Sequence, residues 1–215
     1  MLPQDKECNL CPELVASRKQ IVYGELIGAE FPRIVLIGEA PGFEEDREGR
    51  PFIGVSGDEL RRALAVNGLL QYGVYVTNVC LCHPPKNRDP LTSEITCCVA
   101  SHLTPKLEEL QPRWVITVGR IASQVIAGPE FSIELEHGIP RHLSAAFRDL
   151  EFIHIPTYHP AAGLHEPSKM ILFMGDMRTA GQVVKGKLSP NPPVDTLARK
   201  EHYKELWDGM EVTCS

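Results

Sequence analysis

The sequence contains no run of about 18 or more apolar residues, the length that a membrane-spanning helix needs, and nothing in it reads as a span. It also lacks an excess of basic charge. Its 22 Lys and Arg stand against 28 Asp and Glu, a formal charge of -6, which excludes a generally adhesive polycation and leaves any nucleic-acid binding to local positive patches. The opening MLPQDKECNLC has neither the basic stretch nor the apolar core of a secretion signal, so a cytoplasmic location is expected. Internal repeats and low-complexity tracts are absent. Without a secretion signal, seven cysteines do not suggest a disulfide framework, and their grouping points to metal ligation or buried thiols.

With 215 residues and 43% hydrophobic composition, the chain can bury about 70% of the surface its unfolded form exposes. One compact domain is the expectation. Strand-like apolar runs at 33 to 39 (RIVLIGE), 74 to 80 (VYVTNVC), 113 to 119 (RWVITVG) and 152 to 158 (FIHIPTY) alternate with helix-like segments at 13 to 22, 56 to 67, 93 to 110, 119 to 127 and 168 to 184. Pro105 should kink or divide the third helix. This alternation predicts an α/β fold with a parallel sheet, a single-domain three-layer α/β/α sandwich around four central parallel strands. FSIELEHGIPRHL suggests a hairpin or irregular excursion around His137-Gly138, and the proline-rich tail suggests a linker followed by a helix over 196 to 207.

In such a sheet, ligands sit beyond the carboxyl ends of the strands. Here those ends are GEAPGFEED, TNVCLCHPPKNRDP, GRIAS and YHPAAGLH, three of them rich in polar or special residues. Cys8 and Cys11 form a C-x2-C pair before the first long strand, Cys82 follows the second, and Cys97 and Cys98 sit on the next helix. Two such groups can close one four-thiolate site. By spacing alone it suits structural zinc or an iron-sulfur cluster, zinc being the simpler demand. Cys80 reads as a small buried hydrophobe, and Cys214 as a free thiol.

GEAPGFEEDREGRPFIGVSG, TNVCLCHPPKNRDP with a cysteine eight residues after Pro90, and YHPAAGL occur in this order. Together they resemble the iron-sulfur uracil-DNA glycosylases, family 4 of that superfamily, over roughly residues 8 to 180. The resemblance implies a glycosylase unit over 1 to 187 and an extension of unknown role over 188 to 215. It implies that Cys8, Cys11, Cys82 and Cys98 hold a [4Fe-4S] cluster, with Cys98 preferred to Cys97, and so displaces zinc. The cluster is expected to fasten the N-terminal segment to the loop after the second strand.

The same resemblance assigns Phe52 to stacking on the base, Asn78 to pairing with uracil N3-H and O4, and His159 to donating to O2. In related branches an Asp or Asn fills the third position of a G-x-x-P turn. That position is Ala40 here, so the water-handling role passes to Glu39, Glu45 or Asn87, with Glu45 near the sugar and the C5 edge of the base. Glu44 is expected in solvent. Asp46 and Glu48 are expected to brace the loop through Arg47, Arg50 or backbone N–H groups. His154, in its apolar strand, should be structural.

Lys86, Arg88, Arg120, His165 and Lys169 are the expected DNA contacts, with Leu164 a candidate wedge. The partner is uracil-containing DNA, single- or double-stranded, bound by a monomer without a membrane. CHPPKNRDP is short beside the long insertion of a covalent-trapping branch, so turnover through water is expected. Two other readings compete. One is a metal-dependent phosphohydrolase or nuclease with Mg2+ on Glu39, Glu45 and Asp46. The other is a noncatalytic iron-sulfur module that binds nucleic acid.

Overall fold

The four apolar runs become the centre of one sheet. The computed structural model describes residues 8–144 and 150–191, so Cys214 and the helix expected over 196 to 207 lie outside the described residues. In chain order the elements are α1 (Pro12–Ser17), β1 (Glu25–Ile27), β2 (Ile34–Gly38), α2 (Phe43–Glu48), α3 (Gly54–Val66), β3 (Val74–Asn78), α4 (Thr92–Cys98), α5 (Thr104–Leu110), β4 (Trp114–Val118), α6 (Arg120–Ala127), α7 (Ile133–Glu136), β5 (Arg141–Ser144), β6 (Glu151–Thr157), α8 (Pro160–His165) and α9 (Pro167–Val184), with single helical turns at Leu70–Tyr72, Pro85–Asn87 and Val99–Leu103.

The sheet order is β1-β3-β2-β4-β6-β5. The inner four strands are parallel, as expected, and β1 and β5 add antiparallel edges. Both edges are short and incompletely buried, so neither carries the long apolar signature that marks the inner strands. Every residue of β2 and β4 is buried, the pattern of strands covered on both faces. With the right-handed crossovers that such connections follow, this strand order assigns α3 to one face and α4 to α6 to the other; α8 and α9 pack with α3. In register, Gly38 of β2 lies beside Asn78 of β3 and Val118 of β4 beside Thr157 of β6. The four carboxyl ends therefore open on one rim.

Three expectations change in detail. The first helix, expected over 13 to 22, stops at Ser17. Lys19 N–H and Gln20 N–H donate to the Asp46 carboxylate instead of continuing the helix, and Val22 N–H donates to Leu81 O. The helix over 93 to 110 is interrupted before Pro105, by a π-turn at Val99–Leu103; Pro105 then sits in the first turn of α5, where its missing N–H costs nothing. The hairpin is made by β5 and β6, not centred on His137-Gly138, where the chain leaves α7 in a turn with Gly138 at φ 67°. Among the described residues, no helix is long and apolar enough to cross a membrane.

Candidate active site

The rim is built around an absent side chain. A Cβ on Gly38 would lie 2.4 Å from Asn78 Oδ1 and 2.5 Å from Phe52 Cζ, so glycine is what lets the amide and the aromatic ring approach each other. Asn78 is 3% exposed and its Nδ2 has no hydrogen-bond partner. Phe52 is 4% exposed and adopts φ 53°, a left-handed conformation that costs a non-glycine residue on the order of 1–3 kcal/mol. Glu45 supports it: one carboxylate oxygen accepts from Phe52 N–H and the other from Gly42 N–H. Arg61 Nε donates to Phe52 O at 3.2 Å. Burial pushes the Glu45 carboxyl up, while the N–H groups of Gly42 and Phe52 pull it back down.

The acids of GEAPGFEEDREG thus go to separate partners. Asp46 is buried and holds the Lys19 and Gln20 N–H groups. Glu44 and Glu48 pair with the exposed Arg47, and Arg50 reaches back to Glu25. Of these acids, Glu39 alone keeps a carboxylate without a hydrogen bond among the described residues. Burial pushes it up to about 7, with Asp89 raising it further and Arg120 opposing. Those two are themselves paired, Arg120 Nη2 donating to Asp89 Oδ2 at 2.8 Å. Ala40, next to Glu39, packs its methyl against the core. With Asp46 and Glu45 committed to backbone donors, these acids do not converge on the shared cation a nuclease of the Mg2+ type would require.

His159 occupies the N-cap of α8. Its Nδ1 accepts from Ala161 N–H at 3.1 Å, and desolvation pulls the imidazole down to about 4. At neutral pH the ring is therefore uncharged with its proton on Nε2, a donor fixed in tautomer by the other nitrogen. A Cβ on Gly119, which adopts φ 92°, would lie 3.3 Å from His159 Cβ and 3.6 Å from its Cδ2. His154 is fully buried, pulled down to about 3 by desolvation, and shares a 2.7 Å hydrogen bond with Thr117 Oγ1, which is the structural place expected for it.

The KNRDP loop tightens through two consecutive left-handed residues, Lys86 at φ 58° and Asn87 at φ 55°, both exposed at its tip. His83 Nδ1–H donates to Pro41 O at 2.8 Å, tying this loop to the GEAPG turn. Arg88, an expected DNA contact, is already paired within the protein. Its guanidinium forks onto Glu94 at 2.7 and 2.9 Å and reaches Glu13 at 3.1 Å, joining α1, the loop and α4. Lys169 pairs with Glu166 at 2.9 Å, and Leu164 lies on α8, 47% exposed.

Cys8, Cys11, Cys82 and Cys98 line one small cavity that is partly open to solvent. Burial pushes the Cys11 thiol up to about 11, with Cys98, Cys8 and Cys82 adding to the effect. Among the described residues, no three His, Cys, Asp or Glu side chains converge as they would on a single ion.

Donors that sequence reasoning missed surround the sulfurs. Arg18 Nη1 donates to Cys82 Sγ at 3.1 Å, Leu81 N–H to Cys98 Sγ at 3.3 Å, and His102 Nε2 lies 3.4 Å from Cys8 Sγ. Cys80, fully buried, adds its thiol: a hydrogen bond to Cys98 holds that sulfur low. A lone Arg or His distant in sequence gives no local signal for such roles; the π-turn that presents His102 is itself invisible in the apolar periodicity.

Residues 27–179 match the family described as the uracil DNA glycosylase superfamily. The chain is similar to the type-4 uracil-DNA glycosylases of Sulfurisphaera tokodaii, 38% identical over 80% of this chain and 77% of the relative, and Archaeoglobus fulgidus, 35% identical over 85% and 90%. It is also 35% identical to that of Saccharolobus solfataricus over 85% of this chain and 84% of the relative. A matched segment that spans β2 to most of α9, and so all four strand ends of the rim, places the chain in the uracil DNA glycosylase superfamily.

Proposed function

We propose that the protein hydrolyses the N-glycosidic bond of uracil in DNA, releasing free uracil and leaving an abasic site. The observation that carries this reading is the buried Asn78 Nδ2 without a partner. Leaving such a donor unpaired costs about 1–3 kcal/mol, a penalty that a base with a carbonyl at the matching position removes. Uracil O4 accepts from Nδ2 while its N3-H donates to Oδ1; cytosine offers the opposite pattern and leaves both unpaired. Phe52, held against Gly38 and Asn78, supplies the face on which the flipped base stacks. Extrusion of the base from the helix costs a few kcal/mol.

As the glycosidic bond lengthens, electrons move onto the base, chiefly to O2, and the sugar becomes oxocarbenium-like. His159 Nε2–H donates to O2, and a neutral ring suits that task because no proton has to be transferred. Glu39 stands on the sugar side with Asn87, to orient water and stabilise the cation. Water then adds to the sugar carbon and its proton passes by way of the Glu39 carboxylate to the departing uracil anion, so free uracil leaves and no protein-DNA bond forms. Glu45 acts one step back, by fixing the Phe52 loop. Lys86 and Arg120 serve the phosphates and Leu164 the vacated stack, whereas Arg88 is a scaffold residue.

Cys8, Cys11, Cys82 and Cys98 would hold a [4Fe-4S] cluster. Four thiols around a cavity suit a polynuclear group better than one tetrahedral ion, whose ligands meet at a point. When bound, the group cross-links the N-terminal segment to the loop after β3 and supplies no step of the reaction. Residues 1 to 187 form the working unit in this reading, with 188 to 215 as an extension to it. Release of free uracil from a uracil-containing oligonucleotide, undiminished by EDTA, tests the whole reading. Metal-dependent strand cutting without free base, or binding without release, would overturn it.

A further inference from the structure

His159 is oriented from within its own turn by the Ala161 N–H on Nδ1, and it lies close to Gly119, where an added Cβ would come within 3.3 Å of it. Something must place that turn. Sheet pairing ends at Thr157, whose carbonyl accepts from Gly119 N–H at 2.9 Å. The next backbone donor, Tyr158 N–H, goes to a side chain: Asp176 Oδ2 of α9, at 3.1 Å. The other oxygen, Oδ1, accepts from His137 Nδ1–H at 2.8 Å. The excursion that carries His137 is fixed in turn, with Gly138 N–H donating to Pro156 O at 2.7 Å. A Cβ at Gly138 would lie 2.5 Å from Asp176 Oδ1, so glycine admits the carboxylate. The rings of His137 and Tyr158 sit 4.6 Å apart.

Asp176 is 4% exposed. A buried carboxylate is a poor choice for stability alone, since a well-packed apolar residue does as well or better at such sites. What it can do is hold two donors in a fixed relation. Here one of them is the peptide immediately before His159, and a hydrogen-bond donor to developing charge must be placed to within about 0.5 Å. Resting on the glycosylase reading of the site, we propose that Asp176 is a positioning residue for His159, acting through the Tyr158 N–H, and that His137 keeps the Asp176 carboxylate aimed.

The test is a double-mutant cycle in single-turnover uracil release. Asp176→Ala should lower the rate about 10²-fold, the loss typical of a misplaced catalytic group, with affinity for uracil-DNA unchanged. Asp176→Asn, which keeps an acceptor for Tyr158 N–H, should restore part of it. In a His159→Ala background Asp176→Ala should add nothing, because the residue it positions is gone. A loss that multiplies in full onto His159→Ala, or no loss in the single variant, would overturn the proposal.

If Asp176→Ala does not fold, His137→Phe keeps the ring against Tyr158, removes the donor, and enters the same cycle. NMR of the His159 ring nitrogens gives a readout independent of activity. In each Asp176 variant the signature of a single Nε2–H tautomer should give way to exchange between the two, and an unaltered signature would overturn the idea. Absence of uracil release by the unmutated protein would instead remove the glycosylase reading, with the NMR arm still deciding whether Asp176 governs the histidine.

Discussion

On the proposed reading, protonation of Glu39 sets the pH response. Its folded-state value of about 7 lies above the ordinary 4.5, so the ionised form that the proposed mechanism uses is populated only as pH rises through about 7. The single-turnover rate should climb across that interval. Asp89 raises Glu39 and Arg120 lowers it; Asp89→Asn should therefore move the rising limb to lower pH and Arg120→Gln to higher pH. For stability the sign is reversed. Between 4.5 and about 7 the folded state binds the extra proton, so the buried carboxyl withdraws stability as pH rises. Glu39→Gln should lose activity yet melt higher than the parent at pH 8, with no gain at pH 4.

Asn78 gives a second check at the same scale: Asn78→Asp should collapse the preference for uracil over cytosine in matched oligonucleotides. Unchanged selectivity would take Asn78 out of recognition. Residue identities at this rim were legible in the sequence because they sit in short motifs. Their divided duties were not: Glu39 and Glu45 look equivalent in a string of acids, and only the backbone N–H groups of Gly42 and Phe52 separate them.

At the scale of elements, the inner strands and long helices follow from apolar periodicity, whereas the early stop of α1 depends on Asp46, 27 residues from Lys19 in the chain, and no local pattern reveals it. Distance hid only part of the pairing of Arg88, since Glu13 lies 75 residues away but Glu94 only six. A basic residue on an active-face loop reads as a phosphate contact until Glu94 and Glu13 appear beside it. Lys86→Gln should weaken DNA binding uniformly across sequences and reduce the salt slope by about one. Arg88→Gln should leave that slope unchanged and lower Tm, because it strips a buried carboxylate of its partner. Equal salt slopes for Lys86→Gln and the parent would remove Lys86 from the interface.

For the molecule as a whole, a net charge of -6 means that DNA is met by local groups against an unfavourable overall field, and the segments that carry those groups must be held rigidly. The thiol-lined cavity is one such hold. Purified protein should be brown with broad visible absorption, and Asp46→Ala, by releasing Lys19 and Gln20, should reduce the bound iron while the sheet persists by circular dichroism. A colourless, zinc-loaded preparation would contradict the cluster. The other hold is a vacancy. Since Gly38 ends β2 where any methyl would strike both Asn78 and Phe52, the spacing of amide and ring leaves no room for a side chain at the end of the strand. On the proposed reading, Gly38→Ala should therefore displace the ring or the amide and lower single-turnover uracil release.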